Sequence, residues 1–271
     1  MTATTHTVST INSGLVEVSV DEQGQGQPFL LLHGGGGPNT VASFARTFAA
    51  AKAARIITPT HPGLEGTNRP DVLTSIAQLA TLYVRLVDQL DLDDVTLIGN
   101  SIGGWIAAEM ALLESPRVSG TVLVDAVGID VPGHPIADFF SLSMDQVMTL
   151  SFHNPDPFHV DPAKLPPAAQ AIAAGNRAAL AVCGGAAMSD PSLITRLAHL
   201  EMPTLVLWAD SDRIVDPKYG RAYASAIPMA RFYLLNGSGH LPQIETPDQL
   251  IHAIWDAADV VFATDLPIAS T

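Results

Sequence analysis

Hydrophobic residues along the chain fall into short continuous runs, and these runs alternate with longer segments whose apolar residues recur every three or four positions. Continuous apolar runs are typical of strands that are buried on both faces of a sheet. The first run alternates in the manner of a half-buried strand. The predicted strands are residues 16–20, 29–32, 55–58, 95–99, 121–124, 204–208 and 232–235.

Amphipathic segments lie between these runs, and they predict helices at residues 41–53, 72–90, 103–113, 219–226 and 247–262. The segment at 72–90 has the most regular three- and four-residue apolar spacing, and Thr74 or Asp71 is a suitable N-cap. Strands that alternate with helices predict an α/β fold, in which helices cover both faces of a mostly parallel sheet.

Residues 128–200 interrupt this alternation, because they contain many prolines, an aromatic and methionine cluster and no convincing strand. We interpret the segment, called the insertion below, as two or three helices placed between two strands of a core formed by residues 1–127 and 201–271. It is either a second packing layer or a helical cap over a pocket. Because it follows the C-terminal end of a strand, where open α/β sheets bind ligands, a cap is favoured.

Composition excludes several classes of protein. Of 271 residues, 47% are hydrophobic and 15% charged, which indicates a globular chain. A formal net charge of −14 argues against a nucleic-acid partner. The single cysteine excludes an internal disulfide, and no histidine spacing matches a metal site, so no metal is predicted. Neither a membrane span nor a signal peptide is evident, and we expect a cytoplasmic monomer or homodimer without a membrane partner.

The sequence Gly-Asn-Ser-Ile-Gly at 99–103 stands between a predicted strand and a predicted helix. A sharp strand-to-helix turn of this kind exposes the serine at the sheet edge, beside a helix N-terminus that favours developing negative charge. Gly99 and Gly103 relieve the crowding that side chains would cause in such a turn. The alternative is a capping serine in a glycine-rich turn, but this context favours Ser101 as a nucleophile.

A serine nucleophile needs a base and an acid. His240 follows the last predicted strand in a tight loop, Asn-Gly-Ser-Gly-His, and is the candidate base. Asp212 lies in the loop after the preceding strand and is the favoured acid, with Asp210 and Asp125 as alternatives. The chain order Ser101, Asp212, His240 is that of the α/β-hydrolase triad.

The sequence His-Gly-Gly-Gly-Gly-Pro follows the second predicted strand, and its glycines let the backbone approach a substrate closely. Acyl transfer requires preorganised N–H donors for an oxyanion. We assign these donors to Gly35, to within one residue, and to Ile102. Gly34 and Gly36 are expected to contact substrate, and His33 to anchor the loop. A phosphate-binding loop is the alternative, but no Walker lysine follows.

Taken together, these motifs resemble the α/β-hydrolase superfamily, and they occur in the expected order. The matching segments are residues 30–38, 61–67, 97–105, 203–217 and 236–250. The resemblance implies an eight-stranded, mostly parallel sheet flanked by helices and a serine hydrolase with no cofactor. It also supports the triad and the oxyanion donors assigned above.

The motifs also bear on the substrate, a small molecule that we predict to be a carboxylic ester cleaved through an acyl-enzyme. Three of them, HGGGGP, GNSIGG and AGNRAAL, are similar to those of meta-cleavage product hydrolases, which cleave C–C bonds. In that family a cap arginine, matched here by Arg177, helps bind the substrate carboxylate. Leu241 departs from the family, which typically has tryptophan there. Lactonase, perhydrolase and thioesterase activities remain alternatives, as does a non-catalytic receptor.

The insertion and the helix after Ser101 supply candidate walls for an apolar pocket, for which packing between cap and core is the alternative. The pocket candidates are Trp105, Phe139, Phe140, Met144, Met148 and Phe152, together with Arg177 and Leu241.

Overall fold

A computed structural model describes residues 3–10, 14–158 and 164–261. Its eight strands form one sheet in the order β1-β2-β4-β3-β5-β6-β7-β8. Strand β2 pairs antiparallel with both β1 and β4, and all other neighbours are parallel. The strands are β1 (Thr4–Thr10), β2 (Gly14–Gly24), β3 (Gln27–Leu32), β4 (Ala54–Pro59), β5 (Val95–Asn100), β6 (Val118–Val124), β7 (Thr204–Ala209) and β8 (Ala230–Leu235).

The seven predicted strands are all present, and the eighth, β1, was missed. Every residue of β5 and β7 is buried, which explains their continuous apolar runs. Strand β1 reads Thr-Thr-His-Thr-Val-Ser-Thr and is mostly exposed. It lacks an apolar signal because it lies at the sheet edge and pairs only with β2, where Val8 faces Val16.

Helices cover both faces of the sheet, as the alternation of elements predicts. They are α1 (Asn39–Ala51), α2 (Ile76–Gln89), α3 (Ile102–Ala111), α4 (Met144–Ser151), α5 (Pro167–Gly184), α6 (Leu193–Leu197), α7 (Pro217–Ala226), α8 (Pro242–Glu245) and α9 (Pro247–Val261). One apolar core contains residues of α2, α3 and α7, and a second contains residues of α1 and α9. Phe262, the predicted end of the last helix, lies outside the described residues.

The predicted start of α2 was wrong. The helix begins at Ile76, and its N-cap is Ser75, whose extended backbone lets its hydroxyl accept a hydrogen bond from the Gln78 N–H at 3.3 Å. Neither Thr74 nor Asp71 caps it. Val72 is 53% exposed and lies outside the helix. Apolar spacing alone placed the boundary one turn too early.

The insertion lies between β6 and β7 and carries helices α4, α5 and α6 together with a 3₁₀ turn at Asp156–Phe158. Its described residues form no strand, only an isolated bridge between Gly128 and Ser189. It is tied to the core by His134, whose Nδ1 lies 2.6 Å from Asp216 Oδ2. No helix within the described ranges is both long and apolar enough to cross a membrane.

Candidate active site

Ser101 occupies the sharp turn between β5 and α3 with φ of 57° and ψ of −120°. Such a backbone is rare for a residue with a Cβ and costs on the order of 1–3 kcal/mol. The Ser101 N–H donates to the Val124 carbonyl at 3.0 Å, which fixes the turn against the end of β6. This strained conformation holds the serine at the C-terminal edge of the sheet, as a nucleophile elbow requires.

Two glycines make this turn possible. A Cβ on Gly99 would lie 2.2 Å from the Gly103 carbonyl oxygen, and a Cβ on Gly103 would lie 2.1 Å from the Leu32 carbonyl oxygen. Both contacts are with backbone, which has no rotamer to change. The glycines therefore allow helix α3 to approach strands β3 and β5 closely.

Replacing Gly103 by alanine should lower the free energy of unfolding by about 2–3 kcal/mol, because the methyl group forces backbone apart in a packed core. Turnover should fall as well, because the turn that carries Ser101 would move away from the glycine loop that follows β3. Gly175→Ala is the matched control: its Cβ meets open space on helix α5, so stability should rise by about 0.5–1 kcal/mol. Urea unfolding of both variants measures the difference. Equal stability for Gly103→Ala and wild type would contradict the prediction.

The structure brings His240 and Asp212 together. His240 Nδ1 lies 2.7 Å from Asp212 Oδ2, and both side chains are buried. The other carboxylate oxygen of Asp212 accepts hydrogen bonds from the N–H groups of Ile214 at 2.8 Å and Val215 at 3.1 Å. With Nδ1–H directed at Asp212, Nε2 is the imidazole nitrogen that can accept a proton. His240 and Ser101 line the same cavity.

Asp210, the first alternative acid, has a different position. Its Oδ1 accepts hydrogen bonds from the Gly237 N–H at 3.0 Å and the Ser211 hydroxyl at 2.8 Å. Although partial burial opposes ionisation, these donors lower the pKa of Asp210 below its usual value. Asp210 therefore shapes the loop that leads to His240, rather than contacting the imidazole.

Asp125, the second alternative acid, is fully buried at the end of β6. Its Oδ1 accepts a hydrogen bond from the Ala209 N–H at 2.8 Å. Burial, together with the nearby charge of Asp212, raises the pKa of Asp125 well above its usual range. This environment disfavours the ionised form of Asp125, which makes it a poorer source than Asp212 of the negative charge that stabilises an imidazolium.

Three polar side chains that the sequence analysis did not identify fix the His240 loop. Asn100 Nδ2 donates to the His240 carbonyl at 3.1 Å, and Asn100 Oδ1 accepts from Gln243 at 3.2 Å. The Glu245 carboxylate accepts from the Gly239 N–H at 2.8 Å and from the His153 N–H at 3.0 Å. Nothing in the local sequence indicated these contacts, because each joins residues of different elements.

The cavity at this edge has a volume of about 270 Å³ and is mostly apolar. Eight of the predicted contact residues line it, with Ser101 and His240: Gly34, Gly35, Gly36, Phe139, Met144, Met148, Arg177 and Leu241. The sequence analysis missed other lining residues, among them Thr40, Asn176, Leu180, Met188 and Ile214. Among these residues, the insertion contributes Phe139, Met144, Met148, Asn176, Arg177, Leu180 and Met188, so it forms one side of the cavity.

Trp105, Phe140 and Phe152 were wrongly predicted to line the pocket. Trp105 is buried against Gly128, and its Nε1 donates to Glu109 at 3.4 Å. Phe140 packs edge-on against Phe139, which takes the position at the cavity. Phe152 stacks on Phe158 with ring centroids 4.3 Å apart. Each ring packs against another residue of the protein and does not line the cavity.

Arg177 lines the cavity, but its guanidinium is also bound to the insertion itself. NH2 donates to the carbonyls of Phe139 and Leu142, the latter at 2.8 Å, and the guanidinium stacks over the Phe139 ring at 4.9 Å. In the part of the chain that the structure describes, Arg177 and His240 are the only ionisable side chains that line the cavity. No group of three or more histidine, cysteine, aspartate or glutamate side chains within the described part of the chain could hold a metal ion.

The glycine loop after β3 faces helix α5 of the insertion. Gly37 N–H donates to the Gly34 carbonyl at 3.2 Å, which closes a turn. A Cβ on Gly35 would lie only 2.7 Å from a methyl carbon of Leu180, so little space remains between loop and insertion. Across the cavity edge, Ile102 is the first residue of α3, and its N–H has no acceptor within the helix.

Comparisons with known proteins identify the family and agree with the observed fold. The model of the alpha/beta hydrolase family matches residues 29–253, and the chain therefore belongs to that family. It is a hydrolase, with the fold that the sequence motifs implied.

Individual relatives include two different kinds of hydrolase. The chain is 26% identical over 258 residues to 2-hydroxy-6-oxo-6-(2'-aminophenyl)hexa-2,4-dienoic acid hydrolase of Metapseudomonas resinovorans, covering 90% of this chain and 88% of the relative. It is 25% identical over 240 residues to Lipase 1 of Psychrobacter immobilis, covering 83% and 74%. A thermophilic esterase from Thermogutta terrifontis has a similar structure, with a TM-score of 0.77 and 22% identity over 97% of this chain and 100% of that one.

Proposed function

We propose that this protein hydrolyses small carboxylic esters through a triad of Ser101, His240 and Asp212. The contact of 2.7 Å between His240 and Asp212, in a cavity that Ser101 and His240 both line, carries this proposal. Asp212 holds one imidazole tautomer and stabilises the imidazolium that forms during the reaction. An esterase of similar fold and a lipase among the relatives support the same chemistry.

The reaction follows from these positions. His240 Nε2 takes the Ser101 proton while Oγ forms a bond to the ester carbonyl carbon. The N–H groups of Gly35 and Ile102 hold the resulting oxyanion. The imidazolium then protonates the leaving alkoxide, the C–O bond breaks and the alcohol departs. In the second half, His240 takes a proton from water, whose oxygen attacks the acyl carbon, and Ser101 regains its proton as the acid leaves.

The insertion acts as a cap in this proposal. Phe139, Met144 and Met148 hold the acyl group, while Leu241 lies beside the base. Flexible methionine side chains fill irregular space and adapt to different ligands. Because the cavity is small and mostly apolar, its substrates are small esters with neutral, apolar acyl groups.

Cleavage of a C–C bond in a dienoate is the second candidate, and the relative from Metapseudomonas resinovorans favours it. That substrate carries a carboxylate, which needs a cation in an apolar site. Arg177 is the only permanent cation among the described residues that line the cavity, and its NH2 group already donates to two carbonyls. This arrangement favours a neutral ester over an anionic dienoate.

A panel of substrates on one preparation tests the proposal. We expect kcat/KM for p-nitrophenyl butyrate to exceed that for a 2-hydroxy-6-oxo-dienoate by at least about a hundredfold, which corresponds to about 2.7 kcal/mol of transition-state binding. A lactone, a thioester and a peracid-forming assay complete the panel. Preference for the dienoate would overturn the ester assignment. No turnover of any substrate and no labelling by a fluorophosphonate would favour a non-catalytic receptor.

Arg177→Gln separates the two roles of the arginine. If Arg177 fixes the segment that contains Phe139 and Leu142, the variant should lose ester and dienoate hydrolysis by a similar factor and melt at a lower temperature. If it binds a substrate carboxylate, dienoate hydrolysis alone should fall.

A further inference from the structure

Three buried polar side chains, those of His33, His61 and Tyr83, form a hydrogen-bonded network. It lies behind the glycine loop at residues 34–37, called the oxyanion loop below because it carries Gly35. His33 Nδ1 lies 2.8 Å from the Gly34 carbonyl oxygen. The His61 N–H donates to His33 Nε2 at 3.2 Å, and His61 Nε2 lies 2.9 Å from the His33 carbonyl oxygen. His61 Nδ1 lies 2.6 Å from the Tyr83 hydroxyl of helix α2. The imidazole rings of His33 and His61 pack against each other with centroids 3.8 Å apart and planes tilted by 34°.

These contacts fix the position of each side-chain proton in the network. Because His33 Nε2 accepts from a backbone N–H, its proton is on Nδ1 and is donated to the Gly34 carbonyl. Because His61 Nε2 faces a carbonyl, it carries the proton, and His61 Nδ1 accepts from the Tyr83 O–H. Both imidazoles are neutral, and each of their nitrogens has a partner. A proton added to His33 Nε2 would oppose the His61 N–H.

We propose that His61 and Tyr83 are positioning residues of the oxyanion hole, which act through His33 on the backbone of Gly34. The hydrogen bond from His33 is accepted by the Gly34 carbonyl, which belongs to the same planar peptide group as the Gly35 N–H. The network therefore sets the direction of the Gly35 N–H. This inference rests on the proposed ester hydrolysis. Tyr83 does not line the cavity. The inference therefore gives helix α2 an indirect role in the chemistry.

The environment of the network favours neutral imidazoles at His33 and His61. Burial, aided by His61, lowers the pKa of His33 well below its usual value, and burial lowers that of His61 to about 4. Within this network, His33 follows β3 and Tyr83 lies on α2, and their titratable groups flank His61. Outside the network, the Tyr83 phenol interacts with the thiol of Cys183 on α5. Between pH 6.5 and about 4 the unfolded chain binds protons that the folded protein does not, so stability falls as pH is lowered through this range.

Tyr83→Phe tests the proposal, with Tyr219→Phe as its matched control. Tyr219 is also buried, and its hydroxyl donates to the Ile129 carbonyl at 2.7 Å, away from the oxyanion loop. We expect Tyr83→Phe to lower kcat about tenfold with KM changed less than twofold, less than the 10²–10³-fold of a lost oxyanion donor. Affinity for an alkyl boronic acid, which mimics the tetrahedral intermediate, should fall by the same factor as kcat. The Tyr219→Phe control should change neither quantity.

His61→Gln provides a second variant. A glutamine does not titrate, so the fall in melting temperature between pH 6.5 and 4 should become shallower than in wild type. Boronic acid affinity should again fall with kcat. If Tyr83→Phe and His61→Gln bind the boronic acid as wild type does, the positioning role is wrong, although ester hydrolysis by wild type would still stand. If wild type hydrolyses no ester, the proposed function itself fails.

Discussion

Replacing Ser101 by alanine is expected to lower kcat for ester hydrolysis by at least about 10⁴-fold, because alanine has no hydroxyl group that could form the acyl-enzyme. The strained elbow should be retained, since alanine keeps the Cβ of serine. Stability should therefore change little. Steady-state hydrolysis of p-nitrophenyl butyrate and labelling by a fluorophosphonate measure the two properties of the nucleophile.

Ser151→Ala is the matched control for this change. Ser151 also lines the cavity and is buried, but it belongs to helix α4 of the insertion. We expect its alanine variant to keep kcat within about threefold of wild type, as a substitution that removes no reacting group should. A Ser101→Ala enzyme that still turned over esters at a tenth of the wild-type rate would contradict the assignment of the nucleophile.

Asp212→Asn is expected to lower kcat by about 10⁴-fold, whereas Asp125→Asn should lower it by less than about tenfold. Asparagine at 212 removes the charge that stabilises the imidazolium and lets His240 adopt the wrong tautomer. Burial and the Asp212 charge raise the pKa of Asp125 and so favour its neutral form, for which an amide is a close substitute. An amide oxygen at position 125 can still accept the Ala209 N–H.

Steady-state hydrolysis of p-nitrophenyl butyrate by both variants measures this difference, and their melting temperatures check that each is folded. A larger loss of activity from Asp125→Asn than from Asp212→Asn would show that the acid lies on β6 instead.

Local patterns predicted every strand of the sheet except the edge strand β1. Strand β1 is rich in threonine, and its apolar signal is weak because it pairs with one strand only and is mostly exposed. The start of α2 was placed too early because Val72 extends the apolar periodicity, although its side chain is exposed. Capping depends on the backbone angles of Ser75, which spacing does not reveal.

The cavity walls were predicted with mixed success for a similar reason. Phe139 and Phe140 have the same chemistry and adjacent positions, yet only Phe139 lines the cavity. Trp105 lies four residues after Ser101 on helix α3, but its ring packs against Gly128. Which aromatic side chain faces a pocket depends on the direction of the backbone in an irregular segment, and composition does not specify that direction.

The sequence by itself determined the α/β class, the family and the candidates for nucleophile, base and acid, because these depend on residue types at fixed places along strands and turns. Only the tertiary structure showed that Asp212, among Asp212, Asp210 and Asp125, contacts His240, since three carboxylates near one sheet edge differ only in what they contact. It also gave Arg177 its carbonyl partners and joined His33, His61 and Tyr83. Such contacts link residues far apart in the chain, and their distances arise only when the sheet and its helices pack.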